Sequence, residues 1–287
     1  MNRRTLSLLF TAVASLFLAG CVQGTISERK ISFSPYTHTR VGSETLQDFL
    51  TARTAVLMAG QHLKLTAAET NSGEFSYQAS SRGLVLGSAA AVDHRGYFLT
   101  AAHCVGQEPT YLLFGRRGQW QVETARLVWR GDVSRGEPDL ALLWVPRKLD
   151  QVFDWASGFE VGEPVVAVGQ NYQPPLDIEI VSFAGTLQAS GAGSTTRLGA
   201  RSIFHTAPLR KADSGGPLAG VAGRLIGINV KAGRIFSPLH PLGRRLSLAE
   251  HPDLAWLQQL IEGHAGRNAS GACLSGKCRR VAPPALP

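Results

Sequence analysis

Cysteine is scarce in this chain: four residues among 287, at positions 21, 104, 273 and 278. That count excludes a small scaffold stapled by several disulfides. No histidine pair and no second cysteine pair has ligand spacing, so neither a metal nor a cofactor is expected. Long apolar runs are missing too. The uncharged leader from Thr5 to Gly20 is shorter than the roughly 20 apolar residues a membrane-spanning helix needs. There is no internal repeat. No helix-sized segment interrupts the stretch from Thr54 to Val230, which disfavours a parallel βαβ architecture. Acidic residues are outnumbered, and the net charge is +8, with Arg3 and Arg4 in the leader contributing to it. A basic balance raises nucleic acid or an anionic membrane surface as partners. Here the basic residues are scattered singly, and the densest cluster, Lys277-Cys278-Arg279-Arg280, sits in the tail. Basic and aromatic residues are not interleaved, so the charge reads as solvated surface and nucleic acid is not expected.

What is present is globular: 44% hydrophobic residues, 31 glycines and 15 prolines. The length suits two small domains or a pair of β-barrels. Met1-Asn-Arg-Arg4 and the Leu-, Ala- and Phe-rich run behind it read as a signal peptide over residues 1–20. It ends in Leu18-Ala19-Gly20-Cys21, which resembles the lipobox of bacterial lipoproteins. The resemblance implies cleavage before Cys21 and acylation of Cys21, with three acyl chains making a firm anchor. The protein is then expected in the cell envelope. Val22, not Asp, follows the cysteine, which implies the outer membrane, facing the periplasm, in a diderm host. Removing Cys21 leaves three cysteines. Cys273-Leu-Ser-Gly-Lys-Cys278 predicts a local disulfide, and Cys104 then stays free and buried.

Residues 21–42 are polar and read as a tether. Ser43-Glu-Thr-Leu-Gln-Asp-Phe-Leu50 opens with an N-cap residue and carries acids in its first turn, which predicts a short helix. Ten short strands follow from the apolar pattern and the turn residues between them. They are Phe75–Ala79, Leu84–Val92, Tyr97–Thr100, Tyr111–Phe114, Gln119–Trp129, Leu140–Val145, Val165–Val168, Glu179–Leu187, Ser202–Thr206 and Leu225–Val230. Together they mean an all-β sandwich or barrel. His251-Pro252-Asp253 precedes Leu254, Leu257, Leu260 and Ile261, which predicts a terminal amphipathic helix with Pro252 at its first position. The main domain therefore spans 43–265, and 266–287 is a Gly-, Ala- and Pro-rich tail expected to be flexible.

Thr100-Ala-Ala-His-Cys104 closes an apolar run. A lone histidine there is more often a satisfied core histidine than a catalyst, so the question is whether His103 has partners. Pro138-Asp139-Leu-Ala-Leu-Leu143 puts Asp139 at the mouth of a strand that is apolar throughout. A buried carboxylate needs hydrogen bonds or a cation, and an imidazole N–H supplies one. Taken alone, Asp139 reads equally as a turn cap. Lys211-Ala-Asp-Ser-Gly-Gly-Pro-Leu218 leaves the Ser214 hydroxyl unshielded, as a nucleophile requires, though the same residues also suit a plain turn.

In the order His, Asp, Ser these boxes resemble trypsin-like serine proteases of the chymotrypsin fold. Three further stretches resemble HtrA-type bacterial proteases: Gly87-Ser-Ala-Ala-Ala-Val-Asp-His-Arg-Gly-Tyr-Phe-Leu-Thr100, Val161-Gly-Glu-Pro-Val-Val-Ala-Val-Gly169 and Gly223-Arg-Leu-Ile-Gly-Ile-Asn-Val230. The resemblance covers about Leu84 to Val230. It implies two six-stranded antiparallel barrels with a C-terminal helix, and a serine endopeptidase acting on protein or peptide substrates through an acyl-enzyme. Ser214 would be the nucleophile, His103 the general base and Asp139 the group orienting the imidazole. Backbone N–H groups of Ala212 and Ser214 would form the oxyanion hole. Pro208 would lie at the base of the specificity pocket, with Lys211 at its rim and Ile228 and Val230 on the bordering strand. No PDZ-like domain is expected to follow.

Two positions depart from the family pattern. Gly87-Ser88 stands where a cysteine partner of Cys104 would lie. Ala212 stands where the family has glycine, two residues before the nucleophile. If the inward N–H at 212 demands a positive φ, alanine is strained by about 1–2 kcal/mol, and the peptide is expected to rest flipped outward. Ala212 is also the best support for the rival reading, an inactive protease-fold binding or chaperone module.

Overall fold

The computed structural model describes residues 21–60, 63–65, 75–80, 84–106, 108–116, 119–173, 177–196, 198–237 and 240–269. The expected signal peptide, Cys273, Cys278 and the end of the tail lie outside the described residues.

The chain runs β1 (Cys21–Phe33), β2 (Arg40–Val41), β3 (Glu44–Thr45), α1 (Leu46–Thr51), β4 (Thr54–Ala59), β5 (Lys64–Leu65), β6 (Phe75–Ser80), β7 (Val85–Asp93), β8 (Tyr97–Ala101) and β9 (Thr110–Arg116). It continues through β10 (Gln119–Arg130), β11 (Leu140–Trp144), β12 (Pro164–Gln173), β13 (Asp177–Thr195) and β14 (Arg201–His205). The last elements are β15 (Pro217–Gly220), β16 (Leu225–Ser237), β17 (His240–His251) and α2 (Leu254–Ala269). All ten expected strands are present with ends shifted by a few residues, most of all where β12, β13 and β16 run on.

Two closed six-stranded antiparallel barrels result. The first has the order β10-β11-β8-β7-β4-β9, and the second has β12-β15-β16-β17-β14-β13, closed by pairing of β12 with β13. Closure removes exposed sheet edges. In the first barrel Phe98, Leu99, Leu142 and Leu143 are all at or below 1% exposure. Burying each such side chain stabilises by roughly 1.5–3 kcal/mol. Gly96, at φ 96°, makes the β7–β8 turn possible. A Cβ there would meet Val145 O at 2.2 Å, so glycine is required for space as well as for φ.

Residues 21–33, part of the stretch read as a tether, form β1, parallel to β13 and antiparallel to β6, and so extend the second-barrel sheet. Two local expectations are corrected. The first helix is capped by Thr45, whose side chain accepts from Asp48 N, and not by Ser43. The terminal helix begins at Leu254, with Asp253 Oδ1 accepting Trp256 N at 2.9 Å, so Pro252 precedes the cap. That helix also reaches Ala269, into the segment expected to be flexible.

Candidate active site

Pairing of β8 with β11 brings the histidine and aspartate together. Leu140 is opposite Ala101, so the residues just beyond, His103 on a 3-10 turn and Asp139 before the strand, fall side by side. The turn is fixed by Ala102 N donating to Asp139 O at 3.0 Å, and by Arg130 Nε donating to Ala102 O at 2.9 Å. The His103 backbone N–H donates to Asp139 Oδ1 at 3.0 Å, and ring Nδ1 lies 2.7 Å from Oδ2. A carboxylate accepts only, so Nδ1 carries the proton and Nε2 is left with its lone pair facing outward. The Asp139 hydrogen bond holds the imidazole pKa above its ordinary value. The His103 side chain is about half exposed, at 48%.

Ser214 arrives from the second barrel. Its carbonyl accepts Ser88 N of β7 at 2.8 Å, which ties the serine loop to the first barrel. Gly215 follows at φ 85°, where a Cβ would meet Ser88 O at 2.0 Å and Thr100 Oγ1 at 2.2 Å. Close approach of the two barrels therefore depends on that glycine. On the far side of the loop, Asn229 of β16 takes Gly215 N at 2.7 Å and gives its N–H to Gly216 O at 2.8 Å. Among the described residues, Ser214 Oγ and His103 Nε2 are not hydrogen-bonded to each other. Apo catalytic contacts are commonly open in this way.

The residues before Ser214 make a turn from Arg210 to Asp213, closed by Asp213 N donating to Arg210 O at 3.3 Å. Ala212 is its third residue and has φ 77°, the signature of a type II turn. Alanine therefore adopts the left-handed conformation, the one in which a side chain is strained. Asp213 explains how. It is fully buried, and its Oδ1 accepts Gln170 N at 2.8 Å while Oδ2 accepts Arg210 N at 2.5 Å. The side chain clamps the turn to β12 and compensates the strain. Burial pushes the Asp213 carboxyl up to about 6, against the two N–H bonds. Among the described residues the N–H groups of Ala212 and Ser214 have no protein acceptor, so two donors flank Asp213 and are free for a ligand.

The four expected pocket residues separate. Pro208 and Lys211 are exposed on the loop before Ser214. Ile228 and Val230, at 0% and 4% exposure, pack in the core shared with the first barrel. Strand alternation is the reason, since Asn229 between them points the other way, with Nδ2 donating to Pro217 O at 3.1 Å. Nearby His205 is fully buried, and burial pushes its pKa down to about 4. Cys104 is free and buried, as expected, with Sγ 3.7 Å from Ser214 O. Among the described residues no cluster of His, Cys, Asp or Glu could hold a metal, and no helix is long and apolar enough to cross a membrane. Asp213, Gln170 and Asn229 escaped the sequence reading as site residues. Asp213 stood inside the serine box, whereas Gln170 lies on a strand whose pattern carries no sign of its contact.

Two closed barrels, with a histidine–aspartate pair on one and a serine turn from the other meeting at the seam, define the chymotrypsin-like fold of serine proteases. Residues 87–228 match the trypsin-like peptidase domain. Solved structures agree. The serine endoprotease from Yersinia pestis is 18% identical with a TM-score of 0.52, covering 76% of this chain and 66% of its own. The HtrA-type protease AlgW with decapeptide is 23% identical with a TM-score of 0.53, over 76% and 66%. A protease from M. tuberculosis in its active form is 16% identical with a TM-score of 0.52, over 88% and 92%. The chain thus spans about two thirds of the HtrA-type neighbours' length. No curated protein sequence matches it. Domain and neighbours together support a serine protease.

Proposed function

We propose that the protein is a secreted, lipid-anchored serine endopeptidase. The observation that carries the catalytic part is the 2.7 Å Asp139–His103 contact, set beside a serine turn with two unpartnered N–H donors. Ser214 Oγ attacks the scissile carbonyl as His103 Nε2 takes its proton. The carbonyl oxygen gains charge and is met by the N–H groups of Ala212 and Ser214, where each donor contributes a factor of about 10²–10³. His103 then protonates the leaving amine. The acyl-enzyme is cleared by water activated through the same nitrogen. Asp139 stays ionised and stabilises the imidazolium.

Peptide substrates fit this reading, since AlgW is known with a tripeptide and a decapeptide. Pro208 places no carboxylate at the pocket base, so cleavage should follow small or medium apolar residues. Lys211 at the rim would favour acidic residues nearby. The anchor rests on Leu18-Ala-Gly-Cys21.

A fluorophosphonate probe tests the chemistry. We expect labelling of the mature protein at Ser214 and none in Ser214→Ala, whose casein cleavage should fall by orders of magnitude. A folded wild type that takes no label would leave the inactive binding or chaperone module as the better reading. A cleavage map dominated by Arg or Lys before the cut would refute the pocket assignment. Cys21→Ser protein that stays with membranes after a high-salt wash would refute the anchor.

A further inference from the structure

Phe33, the last residue of β1, is 59% exposed and has no place in the mechanism above. It is opposite Phe183 of β13, where the two strands pair in parallel. The two rings stack, with centroids 5.7 Å apart and planes 6° from parallel. Phe183 belongs to the second-barrel core, so Phe33 carries the edge of that core outward. The Arg210 guanidinium lies against both rings. Its central carbon is 5.0 Å from the Phe183 centroid and 5.6 Å from the Phe33 centroid. Both distances are within the roughly 6 Å over which an aromatic face attracts a cation. Among the described residues no carboxylate is within ion-pair distance of this guanidinium, so the ring pair is what holds it.

We propose that Phe33 is a positioning residue for the oxyanion hole: through the Arg210 guanidinium, the end of β1 braces the turn that presents the Ala212 N–H. The inference rests on the serine-endopeptidase reading for its purpose.

Arg210 opens the turn that Asp213 closes. Its O accepts Asp213 N at 3.3 Å, and its N donates to Asp213 Oδ2 at 2.5 Å. The closing corner is tied to β12 by Gln170 N, which donates to Asp213 Oδ1. The opening corner is tied outside the turn by the Arg210 side chain. Leu209 before it is buried, and Lys211 after it is exposed. Arg210 is thus the last anchored side chain before the Lys211–Ala212 peptide, which carries the Ala212 N–H. That peptide is the central one of the turn. Rotating it converts a type II turn to type I and relieves the left-handed alanine, whose φ is 77°. The strain therefore favours a rotation that swings the donor away, and a loose corner makes it easier. An oxyanion donor acts only from a narrow range of positions, about 2.7–3.1 Å from the oxygen that becomes negative. Losing the brace should thus weaken the transition state and leave substrate binding alone.

The test is a double-mutant cycle on hydrolysis of a small ester, with Phe33→Leu and Arg210→Met. Leucine keeps apolar cover over Phe183 but has no π face, and methionine keeps a long stem without charge. We expect Phe33→Leu to lower kcat roughly two- to fivefold with KM unchanged, as suits a partly exposed cation–π contact. Phe33→Tyr should keep the wild-type rate. In the Arg210→Met background Phe33→Leu should cost nothing further. A merely structural role for Phe33 would lower the melting temperature and leave the kinetics alone. Unchanged kcat in Phe33→Leu, or an equal loss in both backgrounds, overturns the proposal. A wild type that hydrolyses no ester and takes no fluorophosphonate label would instead sink the endopeptidase reading. In that case, or if Arg210→Met does not fold, the ¹H–¹⁵N resonance of Ala212 decides. It should move in Phe33→Leu and stay in place in Phe33→Tyr, and an unmoved resonance in Phe33→Leu overturns the proposal.

Discussion

Ala212 is the residue other than glycine with a positive φ among those described. Its methyl group works against the turn, and the Asp213 clamp works for it. Replacing Ala212 by Gly removes strain of about 1 kcal/mol. It also frees the unfolded chain, which offsets part of that gain. Because the resting turn already holds the left-handed conformation, we expect Ala212→Gly to be slightly more stable and to turn over a small ester at close to the wild-type rate. Thermal melts and ester kinetics check this. A several-fold gain in turnover with no gain in stability would mean that the turn rests flipped in solution. At this scale the site was partly legible. His103, Asp139 and Ser214 could be read because each sits in a contiguous box. Gln170 could not, because its contact with Asp213 depends on which way a strand faces across a seam that local pattern does not describe. Ile228 and Val230 were assigned to the pocket from the resemblance alone.

Among the elements, those that were read share strong apolar patterning, as in β8 and β11. β4, Thr-Ala-Val-Leu-Met-Ala and buried throughout, was missed in spite of such a pattern, whereas β17 and β1 lack it. β17 carries Pro241, Gly243, Arg244 and Arg245 within a strand whose other half is buried, and β1 is polar for much of its length. Backbone pairing with an existing sheet makes them strands, which is a tertiary effect on weak local preference. The relation of β7 to the histidine turn is legible at both levels. Gly87 stands where a cysteine was absent, and a Cβ built on it lies 2.9 Å from Cys104 Sγ and 3.3 Å from Cys104 Cβ. That is slightly under the usual Cβ separation of a disulfide, about 3.5–4.5 Å. Gly87→Cys should therefore oxidise onto Cys104 with a small shift of β7. Closing a loop of this size stabilises by about 3 kcal/mol. The expected readout is loss of the free thiol on oxidation and a drop in melting temperature on reduction. Two free thiols persisting in oxidised, folded protein would show that the backbone cannot close the gap.

Over the whole molecule, three buried titratable groups pull stability in opposite directions with pH. His205 has its folded pKa lowered to about 4, below the ordinary 6.5. The unfolded chain then binds more protons between those values, so this contribution is lost as pH falls from about 6.5 to 4. Asp213 and Glu250 have folded pKa values raised to about 6 and about 7. Their contribution is full below the unfolded values near 4 and is lost as pH rises through 6 and 7. Two downward slopes meet one upward slope of similar size in the window from 4 to 7, so wild-type stability should fall overall as pH rises there. Removing Glu250 leaves the other two nearly balanced. Glu250→Gln should be more stable than wild type at pH 8, where the wild type holds an ionised carboxyl in a buried place. The difference should approach about 2–3 kcal/mol. It should shrink at pH 4.5, where the Glu250 proton is in place in the folded state and half bound in the unfolded one. Thermal melts of both proteins at the two pH values measure it. A melting-temperature gap independent of pH would mean that Glu250 does not ionise against the fold in this range.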